Sequence, residues 1–513
     1  MQEVNLRIAA PEWDRLRKHC ARSFRGRRDT ENGAIGLLGK RVVDGGLREL
    51  VVAQIVWPEE GEVMAPRHQA LTFSSRYIRR AHMRVRKTGL SGLVTFHTHP
   101  LARSGVNFSF YDDEQDPLLV ENLQELWPNT LLGSVVLGET SQRGRLWTSP
   151  TEQMALTTLV SVGDRLQYLP LDGKPPKPAP EPSEIFDRAM ALTGSGALAQ
   201  LAKRTVAVVG ASGTGSLVCE LLARAGCKRI LLIDHDVVKL VNLNRILYAT
   251  SDDAKCRRPK AEVLKRGIES LGLGCEVISI TGSILDDAVM QRLNEADLVF
   301  GCVDKDYPRM LLCKYAYQHV IPYIDVGAEI GGDKEGIVST DARTNYVAPG
   351  RWCLRCTGLV NPRRLAFESL TGTERKRKIA LGYSDDLLIK QPAVMDLNMR
   401  AASAGMMLLR HLFQPFLLEP LPVTLAENLV TYNMKALTSA RARNDSCNIC
   451  QVNPLAGFGD CGEQIGLDSE VATALLEDEP EELSPDAVPP PDPSQCAEQG
   501  TKRDTKAAPS PFR

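Results

Sequence analysis

Three features are missing from this sequence of 513 residues. There is no excess of charge: 62 lysines and arginines against 63 aspartates and glutamates leave a formal net charge of -1, so no global field draws the chain to nucleic acid or anionic lipid. There is no apolar run near the ~20 residues that span a bilayer, and the polar start Met1-Gln2-Glu3 lacks the basic segment and apolar core of a signal peptide. There is also no internal repeat. These absences predict a cytoplasmic protein with no nucleic-acid partner and no membrane partner.

What is present is an ordinary globular composition, 43% hydrophobic and 24% charged, on a length that suggests roughly three domains. The 13 cysteines are odd in number and include two Cys-x-x-Cys pairs. In a reducing compartment such pairs point to metal before disulfide.

The prolines of 169–182 cannot continue a helix or a central strand, so this stretch reads as a linker. Upstream, 50–56 and 93–96 read as strands and 10–20 and 74–85 as helices, a mixture of α and β. Downstream, the strand 205–209 ends in a glycine cluster, a helical stretch runs over 216–225, and 229–234 is a second strand. Strand, helix and strand over about 30 residues form the βαβ unit of a doubly wound sheet. From about residue 468 the chain turns acidic and proline-rich, as in Glu477-Asp478-Glu479-Pro480-Glu481-Glu482, which predicts a disordered tail.

His97-Thr98-His99-Pro100 follows an apolar run, so both imidazoles project from one side of an extended segment and can chelate one metal. Ser109-Phe110-Tyr111-Asp112 adds a hydroxyl and a carboxylate. Two histidines and one aspartate leave the fourth zinc position open for water, whose pKa such an ion lowers to ~7. Glu31 is the candidate carboxylate to take that proton and pass it to a leaving amine. These residues resemble the JAMM/MPN (JAB) metalloprotease family, whose pattern is an upstream Glu, His-x-His-Pro and Ser-x-x-Asp. The resemblance implies zinc ligation by His97, His99 and Asp112, a general base in Glu31, oxyanion stabilisation by Ser109, and cleavage of peptide or isopeptide bonds after ubiquitin-like C termini. The loop from His99 to Ser109 is two residues longer than the family's usual one, which leaves Asp113 as an alternative to Asp112.

Gly210-Ala211-Ser212-Gly213-Thr214-Gly215 lies between strand and helix, where small residues let phosphates reach backbone N–H groups at a helix N-terminus. Asp234-His235-Asp236, then Asn242-Leu243-Asn244-Arg245, Arg258-Pro259-Lys260 and Cys302-Val303-Asp304 follow in order. An enzyme that adenylates a carboxylate must neutralise triphosphate charge with arginine, lysine and a metal-binding aspartate, and Arg245, Lys260 and Asp304 supply those types. The run resembles the ThiF/MoeB/HesA superfamily, the adenylating domain shared with ubiquitin-activating enzymes. By that resemblance Gly210, Gly213 and Gly215 cradle ATP, Asp234 and Asp236 hold its ribose and surroundings, Asn242, Arg245 and Lys260 contact phosphates, and Asp304 binds Mg²⁺. Arg188 sits where the family places an arginine that reaches into the partner subunit, which implies a homodimer. Ser212 departs from the family's third glycine.

Cys353-Leu354-Arg355-Cys356 and Cys447-Asn448-Ile449-Cys450 supply four thiolates in two tight turns, the donor set of a closed structural zinc that clips distant parts of the chain together. The stretch 357–389 corresponds to the family's crossover loop and contains no cysteine, so the chain is expected to adenylate without forming a thioester there. Cys461 and Cys496 lie beyond the second pair and could serve if the tail folds back, but a disordered tail does not hold a thiol at the geometry that transfer needs.

The expectation is therefore an α/β multidomain chain: an N-terminal α+β JAB (cytidine deaminase-like) domain over 1–165, a linker over 166–183, a doubly wound Rossmann-like ThiF domain with its four-cysteine zinc over 184–462, and a disordered tail over 463–513. Its cofactors would be ATP, Mg²⁺ and two zinc ions, one catalytic and one structural. A protease that cuts after a ubiquitin-like C terminus, fused to an enzyme that adenylates one, implies a single small β-grasp substrate. A conjugating-enzyme homologue or a sulfurtransferase would take over the product, and such fusions suggest a bacterial source. A sulfur-carrier activating enzyme and an inactive binding scaffold are the alternatives.

Overall fold

The computed structural model describes residues 4–24, 30–64, 70–102, 105–174, 184–333, 336–381, 394–417, 421–431, 433–437, 446–451 and 456–462. The proline-rich stretch 175–183, residues 382–389 of the expected crossover loop, Cys496 and the acidic tail lie outside the described residues.

The N-terminal half runs β1 (Val4–Ala9), α1 (Ala10–Cys20), β2 (Gly33–Val43), β3 (Gly46–Val56), β4 (Val63–Met64), β5 (Thr72–Phe73), α2 (Ser75–Thr88), β6 (Gly92–Thr98), α3 (Phe110–Leu126), β7 (Leu131–Leu137), β8 (Gln142–Ser149), β9 (Glu152–Val162) and β10 (Leu166–Pro170). Its main sheet has the order β1-β3-β2-β6-β7-β8-β9-β10. Because β1 pairs in parallel with both β3 and β9, the sheet closes on itself in the manner of a barrel. Helix α1 starts with proline in its first turn and buries Trp13, Leu16 and Cys20, the spacing of one helix face. Helix α2 is capped by Ser74, whose side chain accepts from the Tyr77 N–H, and stops at Gly89, where φ is 72°.

The C-terminal half runs α4 (Asp187–Ala202), β11 (Thr205–Val209), α5 (Gly213–Arg224), β12 (Arg229–Asp234), α6 (Ser251–Lys255), α7 (Lys260–Glu269), β13 (Glu276–Thr281), α8 (Asp287–Arg292), β14 (Leu298–Gly301), α9 (Asp306–Gln318), β15 (Tyr323–Asp333), β16 (Gly336–Val347), α10 (Pro362–Glu368), α11 (Gly372–Ala380), α12 (Met395–Phe413), β17 (Thr424–Asn428) and β18 (Asn433–Leu437). The sheet order is β13-β12-β11-β14-β15-β16-β17-β18. Strands β11 to β15 pair in parallel, as continuous apolar runs such as Ile230-Leu231-Leu232-Ile233 require. Strands β16 to β18 continue the sheet antiparallel.

The linker does not begin at residue 166. Leu166–Pro170 is strand β10, paired antiparallel with β9. Pro170 is tolerated because it ends a strand at the sheet's edge, where its missing N–H removes no ladder bond. The two halves also share a core: Val51, Val160, Val162 and Leu166 join Leu217, Val218, Phe300 and Leu409 in one apolar cluster. Across this junction the Tyr346 hydroxyl donates to the Gly163 carbonyl at 2.5 Å and Arg351 pairs with Asp164.

Charge at the junction is fully buried. Arg7 donates to both carboxylate oxygens of Glu49, at 3.0 and 2.9 Å, and Arg41 binds the same carboxylate. None of the three is exposed to solvent. From β2, Arg41 also donates to the carbonyls of Asn294 and Ala296 in the C-terminal half, each at 2.8 Å. Burial alone would raise the Glu49 carboxyl, but Arg7 and Arg41 hold it well below the usual carboxylate range.

The chain then returns. Gly459 bridges Lys40 of β2 in parallel, Asp460 accepts from the Val42 N–H at 2.6 Å, and Phe458 and Cys461 pack on the core beneath α2. Cys461 is thus held in place, against the expectation of a loose tail, because its Sγ lies 3.0 Å from the Ser91 Oγ.

Glu49→Ala removes the carboxylate shared by two buried cations, leaving Arg7 only Asp297, at 3.7 Å, as an acidic partner among the described residues, and should lower stability by about 3–5 kcal/mol in chemical denaturation. An unchanged midpoint would show that the cluster does not hold the junction. Since Glu49 is depressed in the folded state, its contribution is complete above the unfolded carboxyl pKa of ~4.3 and is lost as pH falls below it.

Candidate functional site

The first site lies at the open end of β6. Gly33 of β2 pairs with His97, and the Thr98 N–H donates to the Asn32 carbonyl, which sets the strand end and both imidazoles. The Nε2 atoms of His97 and His99 are 3.2 Å apart. Asp112 enters from the first turn of α3, its Oδ1 3.1 Å from His97 Nε2 and its Oδ2 3.4 Å from His99 Nε2. Ser109 caps α3 and forms a reciprocal box with Asp112, its Oγ donating to Asp112 Oδ2 at 2.7 Å. The Asn107 carbonyl lies 2.9 Å from His99 Nδ1 and turns Nε2 inward. Glu31 Oε1 is 3.8 Å from His99 Nε2, while its Oε2 accepts from the Leu71 N–H at 2.8 Å.

Four ligands ~2.0–2.1 Å from a tetrahedral zinc stand about 3.3 Å from one another, which matches these separations. His97, His99 and Asp112 therefore fit a zinc ion. Asp113 does not join them: it is exposed and bound to Arg145 of β8. Burial would raise the Asp112 carboxyl, but hydrogen bonds from His97 and His99 keep it far below its ordinary range. Burial lowers the His99 imidazole, and Asp112 and Glu31 more than reverse that.

The second site lies where β11, β12 and β14 end. At Gly210, φ is 99° and a Cβ would meet the Cys302 carbonyl oxygen at 2.5 Å; at Gly215 it would meet the Gly210 oxygen at 1.8 Å. Only glycine lets β11, β14 and α5 approach so closely. Ser212 begins α5 without a side-chain cap, so the first N–H groups of α5 face the loop's mouth. Asp234 ends β12 and accepts from the N–H groups of Ala211 at 2.5 Å and Asp236 at 2.7 Å. Lys260, first residue of α7 and buried, places its Nζ 2.6 Å from Asp236 Oδ2. Burial raises the Asp234 carboxyl despite Lys260, while Asp236 is lowered by Lys260 against its own burial.

Arg245 lies at the same loop, its Cδ 3.4 Å from where a Gly213 Cβ would stand, and its Nη1 donates to the Val241 carbonyl. Asn242 is buried and accepts from the Lys239 N–H at 3.0 Å. Asp304 is exposed two residues past Cys302 and helps raise Arg309. Arg188 is exposed on the first turn of α4. Asn398 of α12 was not read from the sequence, yet its Oδ1 accepts from Thr214 Oγ1 at 3.2 Å and its Nδ2 abuts Gly213. Nothing local marks it, because it arrives from 184 residues away.

At the third site Cys353 Sγ lies 3.7 Å from Cys447 Sγ, and Cys356 Sγ 3.5 Å from Cys450 Sγ. Thiolates at ~2.3 Å from a tetrahedral zinc stand about 3.8 Å apart, so this set also fits. A hydrogen bond from Cys353 holds the Cys450 thiol below its ordinary range, and the same contact raises Cys353.

A parallel doubly wound sheet with a glycine turn opening onto a helix N-terminus defines a Rossmann-type domain. The chain belongs to the ThiF family, whose family model matches residues 186–453, just over half of its length. It is 34% identical over 140 residues to tRNA threonylcarbamoyladenosine dehydratase of Bacillus subtilis (strain 168), covering 27% of this chain and 54% of that protein. It is 27% identical over 158 residues to sulfur carrier protein ThiS adenylyltransferase of the same organism, covering 31% and 44%. To ubiquitin-like modifier-activating enzyme 5 of Caenorhabditis elegans it is 27% identical over 186 residues, covering 34% and 43%. The chain spans about half the length of these curated relatives. No helix among the described residues is long and apolar enough to cross a membrane.

The two donor sets should load independently. His97→Ala should remove one zinc per chain and Cys447→Ser the other, as counted by elemental analysis. Loss of both ions from either variant would mean that the sites are not separate.

Proposed function

We propose that this chain adenylates the C-terminal carboxylate of a small β-grasp, ubiquitin-like protein and hydrolyses a peptide or isopeptide bond after such a terminus. The observation that carries the first activity is the Lys260–Asp236 pair, 2.6 Å apart at the mouth of the glycine loop. The reaction joins a carboxylate oxygen to the α-phosphorus of ATP and releases pyrophosphate. In this reading the N–H groups of α5 and the loop of Gly210, Gly213 and Gly215 bind phosphate, and Lys260 and Arg245 offset the charge that develops on it. Asp234 and Asp236 take the ribose side, Asn242 braces the turn that carries Arg245, and Asp304 would hold Mg²⁺. Arg188 would act across a dimer.

For the second activity His97, His99 and Asp112 would hold the ion, with the JAMM-type assignment resting on their spacing and on Glu31 alongside. A zinc ion there would lower the pKa of its water to ~7 and polarise the scissile carbonyl. Glu31 takes a proton and returns it to the leaving amine. The Ser109 hydroxyl, which donates to Asp112, would stabilise the developing oxyanion. The four-cysteine set is structural, because four thiolates leave no open position.

A sulfur-carrier activating role is the second reading, favoured by the likeness to ThiS adenylyltransferase and by the absence of cysteine from 357–389.

ATP–pyrophosphate exchange with the full chain tests the proposal. Exchange that requires a ubiquitin-like protein with a free C-terminal glycine is expected, and Lys260→Ala should reduce it ~10²–10³-fold with both zinc ions retained. Exchange that requires tRNA instead would move the assignment to the dehydratase class. Glu31→Gln should abolish cleavage of a C-terminally extended ubiquitin-like protein and leave exchange unchanged; cleavage persisting in that variant would remove Glu31 from its role.

A further inference from the structure

Helix α2 carries Arg76, Arg79, Arg80, Arg84, Arg86 and Lys87 and no acidic residue, an excess that a chain of net charge -1 does not prepare one to find. Some of it is accounted for. Arg76 and Arg80 pair with Glu59 and Glu62, and Arg86 lies over the Trp127 ring at 5.3 Å. The helix dipole favours cations in the last turn only. Arg79, Arg84 and Lys87 remain exposed with no ion pair among the described residues, around a Met83 side chain that is 55% exposed.

The path of the chain says what could cover them. Its described part ends at Gly462, and Cys461 is held against Ser91, two residues past the Gly89 that ends α2. Phe458 and Cys461 pack on the same core that Tyr77, Ala81 and Val85 of α2 build. From Glu463 to Glu482 the sequence holds eight acidic side chains and no lysine or arginine, with Leu475 and Leu476 just ahead of the densest run. Six residues of chain reach about 20 Å, and α2 is about 21 Å long, so acids from Asp468 onward can meet any part of the helix.

We propose that the exposed basic face of α2 is the docking surface for this chain's own acidic segment, residues 468–482. The pairs are individually weak, as exposed ion pairs are. Tethering sets their effective concentration in the millimolar range, which lets a few weak pairs suffice. The seated segment covers Met83 and closes the face to other polyanions.

Hydrogen exchange on the full chain tests this. Backbone amides of 468–482 should exchange roughly tenfold faster in the triple variant Arg79→Glu, Arg84→Glu, Lys87→Glu than in the wild type, the effect of losing three exposed pairs. The reversal Glu477→Lys, Glu479→Lys, Glu481→Lys should do the same, and combining both triples should restore protection. Salt at ~1 M, where the Debye length is ~3 Å, should abolish it. Equal exchange in the wild type and the tail reversal, or no restoration in the combined variant, overturns the proposal. So does protection that rises with protein concentration, which would seat the segment on a second copy. A short oligonucleotide that binds the wild type through α2 without speeding exchange of the segment would likewise assign the face to nucleic acid instead.

Discussion

One carboxylate, Glu49, holds two buried guanidinium groups, and the arrangement of the molecule follows from that requirement. Strands β1, β2 and β3 contribute one charge each, and Arg41 Nη2 donates to carbonyls of the C-terminal half, while its Nε is left without a partner among the described residues. A charge in such surroundings is costly unless it is paired and hydrogen-bonded. The cluster therefore fixes where the Rossmann-type sheet stands relative to the closed sheet. The shared core and the returning segment at Gly459 add area around the same pivot. Strand β2 connects this pivot to the histidine site: Arg41 lies near one end, and Gly33, paired with His97, at the other. The histidine site and the glycine-loop site are thus attached to one continuous core.

Helix initiation and ligand placement are the same event at the histidine site. The hydrogen bonds that start α3 also aim Asp112 at His97 and His99. The glycine loop works by a similar economy of atoms. Close approach of β11, β14 and α5 leaves unclaimed N–H groups at the helix start, and Asp234 ties the loop to the second strand. In both places local backbone chemistry, not a large cavity, makes the site.

Local spacing carried the parts of this arrangement that depend on neighbours in sequence. The His-x-His pair, the glycine turn, the two Cys-x-x-Cys pairs and the strands and helix of the βαβ unit could all be read directly. The choice between Asp112 and Asp113 could not, because adjacent residues point about 100° apart on a helix and Asp113 finds its partner Arg145 from another strand. Strand β10 was hidden by prolines that matter only beyond its end. Arg7, Arg41 and Glu49 gave no signal at all: isolated charges in half-apolar strands look like solvent-facing positions until the second sheet covers them. Asn398 and the return of 456–462 were invisible for the same reason, since both are set by contacts across more than a hundred residues.

The acceptors of Arg41 have a consequence for synthesis. The Ala296 carbonyl follows Arg41 by 255 residues, so at ~5–20 residues per second the ribosome leaves that guanidinium unsatisfied for roughly 13–50 s after β2 is made. During that interval the nascent N-terminal sheet carries two cations on one carboxylate and a bare apolar flank. Vectorial folding can build the N-terminal cores before the second half exists, but it cannot complete this contact. The junction is therefore the last part of the first half to be finished, its Arg41 held by water until the carbonyls of Asn294 and Ala296 arrive.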